Sequence, residues 1–185
     1  MRASSINFNE SLELWNNVSV KIPSIEHAQQ IFDIVRKAWL DTYPNDEYWI
    51  TRNDIEKKFV DKCERIKQAI EWYNNENCGW IATLQNEVVW YTYVKLKNWL
   101  PHLFMLYVNP DFQWNWVWSA LMNRVFEFFS KYDEIYLDVA SYNQQAISFY
   151  EKMWFEKTWI EWTHDIIDNK EIPTIQMKCV LWKNH

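Results

Sequence analysis

The chain has 185 residues, with a hydrophobic fraction of 49% and a charged fraction of 24%, which is typical of one globular domain with a substantial core. Its net charge of −6 argues against a nucleic-acid partner, because nucleic-acid-binding surfaces are basic. No apolar run approaches the ~20 residues of a membrane span, and the N-terminus lacks the apolar core of a signal peptide. Cys63, Cys78 and Cys179 are widely separated, which is typical of a reducing compartment. We therefore expect a cytoplasmic protein that binds neither membranes nor nucleic acids.

Hydrophobic periodicity predicts the secondary structure along the chain. Residues 1–17 are polar and are predicted to form an extension, and residues 18–182 a single domain. Ser24 is the predicted N-cap of the first helix, and Thr51 with Asp54 resembles a capping pair for a second long helix. The predicted elements are strand 18–22, helix 23–40, loop 41–50, helix 51–70, strands 80–84, 88–96 and 100–108, helix 117–129, strand 134–139, helix 143–152, and strands 155–159 and 172–180. This order predicts a mixed α/β fold, with about seven mostly antiparallel strands in a twisted sheet flanked by four helices.

The stretch from Leu103 to Phe129 combines a buried strand, a tight loop and an amphipathic helix. The loop reads Gln113-Trp-Asn-Trp-Val-Trp118. A strand-to-helix turn normally carries small residues, so that backbone N–H groups can converge on an anion at the helix N-terminus. Three indoles at alternate positions are the opposite of what such a turn needs.

Composition indicates that many tryptophans stand in the place of glycine. The chain contains 1 glycine and 14 tryptophans, whereas average usage predicts roughly 13 glycines in a chain of this length. Trp99 follows Asn98 between two strands, where Asn-Gly would form a type I′ turn, and Trp154 stands where a helix ends, a position that favours glycine. We hypothesise that the native protein has glycine at positions 15, 49, 90, 99, 114, 116, 118, 154, 159, 162 and 182.

The other three tryptophans, Trp39, Trp72 and Trp80, lie in apolar periodic segments and are interpreted as genuine. Genetic codes exist in which UGA encodes glycine. Translation of such a gene with UGA read as tryptophan would produce the observed pattern.

With glycine at 114, 116 and 118, residues 113–120 read Gln-Gly-Asn-Gly-Val-Gly-Ser-Ala. This segment resembles the Gln/Arg-x-x-Gly-x-Gly/Ala pyrophosphate loop of the GNAT N-acetyltransferase superfamily. Residues 143–155 resemble the family signature Asn-x-x-Ala-x-x-Phe/Leu-Tyr-Glu-Lys-x-Gly-Phe, again with tryptophan at the glycine. Residues 38–51 are similar to the junction between the first two helices in one branch of the family, and the order of elements from Val18 to Val180 is the family's order. The resemblance implies a GNAT-type acyl-CoA N-acyltransferase fold.

It also implies an enzyme that transfers the acetyl group of acetyl-CoA to a primary amine. In this family, a strand backbone pairs with the pantetheine arm and presents an N–H to the thioester oxygen, while loop N–H groups at a helix N-terminus hold the pyrophosphate. The implied cofactor-binding residues are Leu106, Tyr107, Val108, Gln113, Trp114, Asn115, Trp116, Val117, Trp118, Ser119 and Asn143.

The resemblance implies that Tyr150 is the general acid that protonates the departing thiolate, and we expect the neighbouring Phe149 to face the core. The general base is less defined. His102 is the candidate, because strand alternation places His102, Phe104 and Leu106 on one face, which can point toward the cleft. Tyr93 and Glu47 remain alternatives.

The three cysteines match no nucleophile motif, so the sequence favours direct transfer in a ternary complex over a covalent acetyl-enzyme. No metal-ligand spacing links the histidines and cysteines, and we expect no metal. The acceptor is left open among small amines, polyamines and protein amines, as is a homodimer. If the tryptophans at 114, 116 and 118 are genuine, the alternative is a catalytically impaired binding or regulatory module, whose indoles fill the pyrophosphate site.

Overall fold

The computed structural model describes residues 18–108, 115–167 and 170–181, with the backbone alone at 115–119 and 165–167. Its strands are β1 (Val18–Lys21), β2 (Asn77–Leu84), β3 (Glu87–Lys97), β4 (Leu100–Val108), β5 (Glu134–Ala140), β6 (Glu156–Ile167) and β7 (Lys170–Val180). Its helices are α1 (Ala28–Thr42), α2 (Arg52–Lys58), α3 (Lys62–Glu71), α4 (Asn115–Phe128) and α5 (Gln144–Lys152), and a short 3₁₀ turn precedes α1. The predicted extension 1–17 lies outside the described residues, and the domain boundaries stay a prediction.

The strands form one seven-stranded sheet in the order β1-β2-β3-β4-β5-β7-β6. Every neighbouring pair is antiparallel except β4 and β5, which run parallel. These two strands are paired only at His102–Tyr136 and Leu103–Leu137, and they separate beyond those residues. The predicted mixed α/β fold with a mostly antiparallel sheet is confirmed, and its central opening lies between β4 and β5.

Helices cover both faces of the sheet and create two apolar cores. On one face, Leu121 and Val125 of α4 and Ile147 of α5 pack against the strands. On the other face, α1, α2 and α3 contribute a second cluster that includes Ile31 and Ile55. All five side chains are almost completely buried, so the apolar stripes of the helices fix the sheet between two helical layers.

The predicted second helix is divided in two, so the described residues form five helices rather than the predicted four. Helix α2 starts at a capping box, in which the Asp54 N–H donates to Thr51 Oγ1 and the Thr51 N–H donates to Asp54 Oδ2. It ends before the exposed Val60, and α3 begins after Asp61. β-branched residues and aspartate favour helix interiors less than the flanking lysines and glutamates do, which accounts for a break at this point. The apolar stripe still reaches the core on both sides of the break.

A β-bulge in β4 changes which side chains share a face. Met105 is paired with Tyr93 and Leu103 with Val94, so Phe104 is an extra residue in β4. Leu103 and Leu106 both pack into the first core, whereas Met105 contacts the second. The predicted alternation of His102, Phe104 and Leu106 along one face is therefore wrong at Leu106. A single inserted residue reverses the face of everything that follows it.

Seven described residues other than glycine have a positive φ, and four of them are tryptophans. The other three are Gln85, Asn86 and Asn98, in the two hairpin turns. Trp49, Trp99, Trp154 and Trp159 have φ between 55° and 66°, the left-handed region that strongly favours glycine. Their side chains are 78–84% exposed. None of the three tryptophans interpreted as genuine adopts a positive φ.

Each of these four tryptophans occupies a structural position where glycine is the usual residue. Trp99 is the second central residue of the Asn98-Trp99 turn between β3 and β4, as the sequence predicts. Trp154 follows α5 in a Schellman motif, with the Phe155 N–H donating to the Tyr150 carbonyl at 3.0 Å and the Trp154 N–H to the Glu151 carbonyl at 3.1 Å. Trp49 ends a turn, and Trp159 lies in a bulge of β6. The backbone conformation at all four sites is one that a bulky side chain disfavours.

Candidate active site

A cavity of about 660 Å³ opens where β4 and β5 separate. Residues 104–108 of β4 form one wall, and residues 138–140 of β5 form the other. The last turn of α1 and residues of α5 complete the lining. The two parallel strands thus provide a cleft in the centre of the sheet, bounded by helices from both layers.

The wall formed by β4 offers an unpaired strand edge. Residues Met105 to Val108 pair with β3 on one side only, and their other side faces the cavity. Such an edge carries backbone N–H and C=O groups that can bind an extended amide-containing chain. Leu106, Tyr107 and Val108, which the resemblance assigns to the pantetheine arm, all line this cavity. This part of the predicted site comes together around the cavity.

Asn143 lies at the N-terminus of α5 and lines the same cavity. Its side-chain oxygen accepts a hydrogen bond from the Ala146 N–H at 3.0 Å, which caps the helix and fixes the direction of the residue. The structure thus gives Asn143 a structural role in addition to its place in the cleft.

Tyr150 lies near the C-terminal end of α5, seven residues after Asn143, and lines the cavity. Its ring contacts Phe155, with the centroids 5.7 Å apart, and packs against the first core. Burial and, to a smaller extent, the nearby Tyr43 raise the pKa of Tyr150 above its usual value, so the phenol is protonated at neutral pH. Phe149 also lines the cavity, so the expectation that it would face the core is wrong.

His102 is 4% exposed and is not among the residues that line the cavity. Its Nε2 lies 3.0 Å from Asp138 Oδ2, and Lys97 Nζ lies 3.4 Å from the same oxygen. Asp138 does line the cavity. Its Oδ1 is buried and has no hydrogen-bond partner among the described residues. Of these two residues, Asp138 is therefore the one that lines the cleft, and His102 lies behind it.

Asp138 and Tyr43 are cavity residues that the sequence reasoning did not single out. The sequence does distinguish Asp138, because aspartate is depleted in strands and this one interrupts the apolar run of β5. It distinguishes Tyr43 less clearly, as part of the segment similar to a family junction. The alternatives Tyr93 and Glu47 do not line the cavity.

Residues 115–119, part of the predicted cofactor loop, form the first turn of α4, and Gln113 and Trp114 lie outside the described residues. In the described part of the chain, no cluster of three or more His, Cys, Asp or Glu side chains could hold a metal ion. The described helices include none long and apolar enough to cross a membrane.

Solved structures with the same fold are numerous. The PaiA N-acetyltransferase from Thermoplasma acidophilum, in complex with coenzyme A, superimposes with a TM-score of 0.71 at 18% identity, covering 88% of this chain and 98% of that one. YncA from Salmonella typhimurium, with its cofactor acetyl-CoA, gives 0.67 at 15% identity, covering 92% and 96%. The ribosomal-protein-S18-alanine N-acetyltransferase from Escherichia coli gives 0.60 at 13%, covering 91% and 98%. At these identities the likeness shows the shared fold.

Sequence comparison gives the family directly. No curated protein matches the chain. The family model described as acetyltransferase (GNAT) family matches residues 28–155, from the start of α1 to the residue before β6, and so includes both walls of the cavity. This chain belongs to the GNAT acetyltransferase family.

Proposed function

We propose that this protein binds acetyl-CoA in the cleft between β4 and β5 and transfers the acetyl group directly to a primary amine. The observation that carries the proposal is the cavity itself, where one strand edge, Asn143, Tyr150 and Asp138 meet. Acetyl-CoA supplies an activated acyl group as a thioester. The protein's own residues have to hold it, accept a proton from the amine and protonate the sulfur.

The exposed edge of β4 fits the pantetheine arm of acetyl-CoA, whose two amides alternate donors and acceptors as a peptide does. A backbone N–H near Leu106 is proposed to donate to the thioester oxygen, an interaction worth a few kcal/mol in related acyl transfers. The first N–H groups of α4, starting at Asn115, have no partners within the helix and face an anion favourably. These groups are proposed to hold the pyrophosphate.

Asp138 is proposed to receive the amine, with His102 in support. Asp138 lines the cavity and its Oδ1 has no hydrogen-bond partner among the described residues, so its carboxylate keeps a free acceptor for an ammonium group. The second cavity carboxylate, Asp41, also favours a cation. His102, the candidate base from the sequence, thus belongs to a hydrogen-bonded pair in which Asp138 is proposed to contact the amine. The negative lining favours a cationic acceptor, whether a small amine, a polyamine or a protein amine.

The proton balance follows from these positions. The amine loses one proton to Asp138 before its nitrogen forms a bond to the acetyl carbon. The carbon–sulfur bond breaks, and Tyr150 donates its phenolic proton to the sulfur. The nitrogen releases its second proton as the amide forms, and this proton restores Tyr150 through solvent. Asp138 releases the first proton to solvent, so one proton is set free in each turnover of an ammonium substrate. The acyl group passes directly between the two substrates.

We also propose that glycine is the native residue at the tryptophans in the hypothesised set. Four of them have left-handed backbone conformations that suit glycine. Trp90 and Trp162 lie in strands, and neither has a positive φ. The proposal that glycine is native at these two positions rests on composition alone. At 114, 116 and 118 the reason is close approach, because a phosphate can reach backbone N–H groups more easily when no side chain covers them.

The loop proposal predicts a difference in ligand binding. We expect the variant W114G/W116G/W118G, here called the glycine loop variant, to bind acetyl-CoA. The chain that keeps tryptophan at these three positions should bind it weakly or not at all. At 100 times its dissociation constant, acetyl-CoA should stabilise the glycine variant by about 2.7 kcal/mol. For a chain of this size this corresponds to a rise in Tm of about 5–11 °C. Thermal melting with and without acetyl-CoA measures this rise in Tm. Release of free thiol on addition of an amine tests turnover.

Trp72→Gly is the matched control for this measurement, because Trp72 lies at the end of α3, away from the cavity. That substitution should leave the response to acetyl-CoA unchanged. If the glycine loop variant gains no thermal protection, the proposed cofactor site is wrong. If it gains protection but releases no thiol with any amine, the binding-module alternative replaces the enzyme.

A cytoplasmic location and a homodimer stay predictions. The thiols of Cys63, Cys78 and Cys179 are free, which accords with a reducing compartment.

A further inference from the structure

The Asp138 carboxylate is held by donors from two other strands, and both donors contact the same oxygen. Lys97 lies at the end of β3, and its Nζ is 3.4 Å from Asp138 Oδ2. His102 of β4 places its Nε2 3.0 Å from that oxygen. Asp138 Oδ1 has no hydrogen-bond partner among the described residues. One oxygen of the carboxylate is therefore contacted twice, and the other is left open.

The two donors contribute different properties to the carboxylate. An ionised carboxylate only accepts hydrogen bonds, so a neutral His102 has to carry its hydrogen on Nε2. The imidazole is buried and packs against Phe104 with the ring centroids 4.9 Å apart, which fixes its direction. Lys97 brings the positive charge, since a lysine is protonated at neutral pH. Its side chain is 41% exposed, and its Nζ also lies 4.5 Å from the centre of the Trp162 ring.

A counter-ion matters at Asp138 because this side chain is largely removed from water. It is 22% exposed, and burial favours the neutral form of a carboxyl group, which cannot take a proton from an amine. The residue opposite Asp138 on β7 is the neutral Gln176. The other charged or titratable residues that line the cavity are Asp41, Tyr43, Tyr107, Tyr150 and Lys152. Among the described residues, Lys97 and His102 are the two that contact the carboxylate.

We propose that Lys97 is a positioning residue that keeps the Asp138 carboxylate ionised and, together with His102, holds Oδ2 so that Oδ1 stays available to the amine. Lys97 acts through Asp138, because it does not itself line the cavity. Its ammonium group stays protonated throughout, and the proton passes from the amine to Asp138. Lys97 thereby extends the working range of the base to lower pH. This inference rests on the proposed function, in which Asp138 accepts the proton.

The charge effect can be measured without turnover, with the glycine loop variant as parent. Carbon-13 NMR of the aspartate carboxyl groups follows the titration of Asp138, whose signal is identified by its loss in Asp138→Asn. Lys97→Met should raise the midpoint of this titration by about 0.5–1 pH unit, less than for a fully buried pair because Lys97 is partly exposed. Lys97→Arg keeps the cation and should stay within about 0.2 unit of the parent. His102 is the same in these proteins, so the difference reports on Lys97.

The same shift should appear in turnover. On the acidic limb of the kcat–pH profile, Lys97→Met should lower kcat by about 3–10-fold, which is the shift of the midpoint expressed as a rate. At high pH the carboxylate is ionised in both proteins, so kcat should agree within about twofold and the KM for acetyl-CoA should be unchanged. A lysine with a merely structural role would lower kcat equally at every pH, and that result would overturn the positioning role.

Lys95→Met is the matched control. Lys95 lies two residues earlier in β3, and its Nζ lies over the Phe104 ring, 5.4 Å from the centre. This variant should move neither the NMR midpoint nor the acidic limb by more than about 0.2 pH unit. A midpoint that stays in place in Lys97→Met, or that moves as far in Lys95→Met, would overturn the role of Lys97. An inactive parent would instead overturn the proposed acetyl transfer, while the NMR titration would still report on Lys97 and Asp138.

Discussion

Replacing Trp49, Trp99, Trp154 and Trp159 together with glycine is expected to stabilise the protein substantially. A residue with a Cβ loses about 1–2 kcal/mol in the left-handed conformation. The greater freedom of glycine in the unfolded chain offsets about 0.5–1 kcal/mol of this gain at each site. The net change is about 2–4 kcal/mol over the four sites, which for a chain of this length raises Tm by about 4–16 °C. Thermal unfolding of the fourfold variant measures it.

The control for this experiment is Trp72, an exposed tryptophan with φ of −101°. Trp72→Gly removes an indole of similar exposure from a backbone that accepts any residue, so we expect no gain in Tm. An equal gain in the control would mean that removing an exposed indole, rather than relieving the backbone, is what stabilises. A fourfold variant that melts at or below the parent would contradict the assignment of these four sites to glycine.

Asp138→Asn is expected to have the largest effect on catalysis. Asparagine keeps the size of the side chain and can still bond to His102, but it cannot accept a proton from the amine. Loss of a positioned general base typically costs about 10²–10⁴-fold in rate. Because an amine with a pKa near 10 deprotonates unaided at high pH, the rate of the variant should keep rising with pH up to that value. The parent should level off earlier.

Steady-state rates across pH with a saturating amine test this prediction, and acetyl-CoA binding to the variant should be unchanged. Asp41→Asn is the matched control, because Asp41 also lines the cavity, whereas the hydrogen bond to His102 is made by Asp138. It should raise the KM for a cationic amine and leave kcat nearly constant. A loss of less than about threefold in Asp138→Asn would remove Asp138 as the base.

Much of the fold could be predicted because the relevant signals are local. The bounds of β4 follow from its apolar run and from the Asn98-Trp99 turn, and the start of α2 follows from its capping pair. The break after Lys58 could not be read in the same way. The apolar stripe of the predicted helix continues across it, and periodicity alone does not distinguish one helix from two that share a face.

The sequence predicted some residues of the candidate site and missed others, and the difference has a physical reason. Tyr150 and Leu106–Val108 belong to contiguous motifs, so their place in the cleft follows from the resemblance. The pairing of His102 with Asp138 joins two strands 36 residues apart. The bulge at Phe104 further shifts the faces of β4, and neither the parallel pairing nor the bulge has a signature in the sequence. Strand alternation therefore predicted that His102 points toward the cleft, whereas the residue of this pair that lines the cleft is Asp138.

The most direct measurement is peptide mass spectrometry of the protein purified from its native cells. Cleavage after Lys97 and Arg124 gives a tryptic peptide that contains Trp99, Trp114, Trp116 and Trp118, and so includes both a left-handed turn position and the whole proposed pyrophosphate loop. We predict glycine masses at all four sites, which would give the native protein an open backbone cradle for acetyl-CoA. Tryptophan masses at these sites would contradict this, and the cleft would then belong to a binding module whose pyrophosphate site is filled by its own indoles.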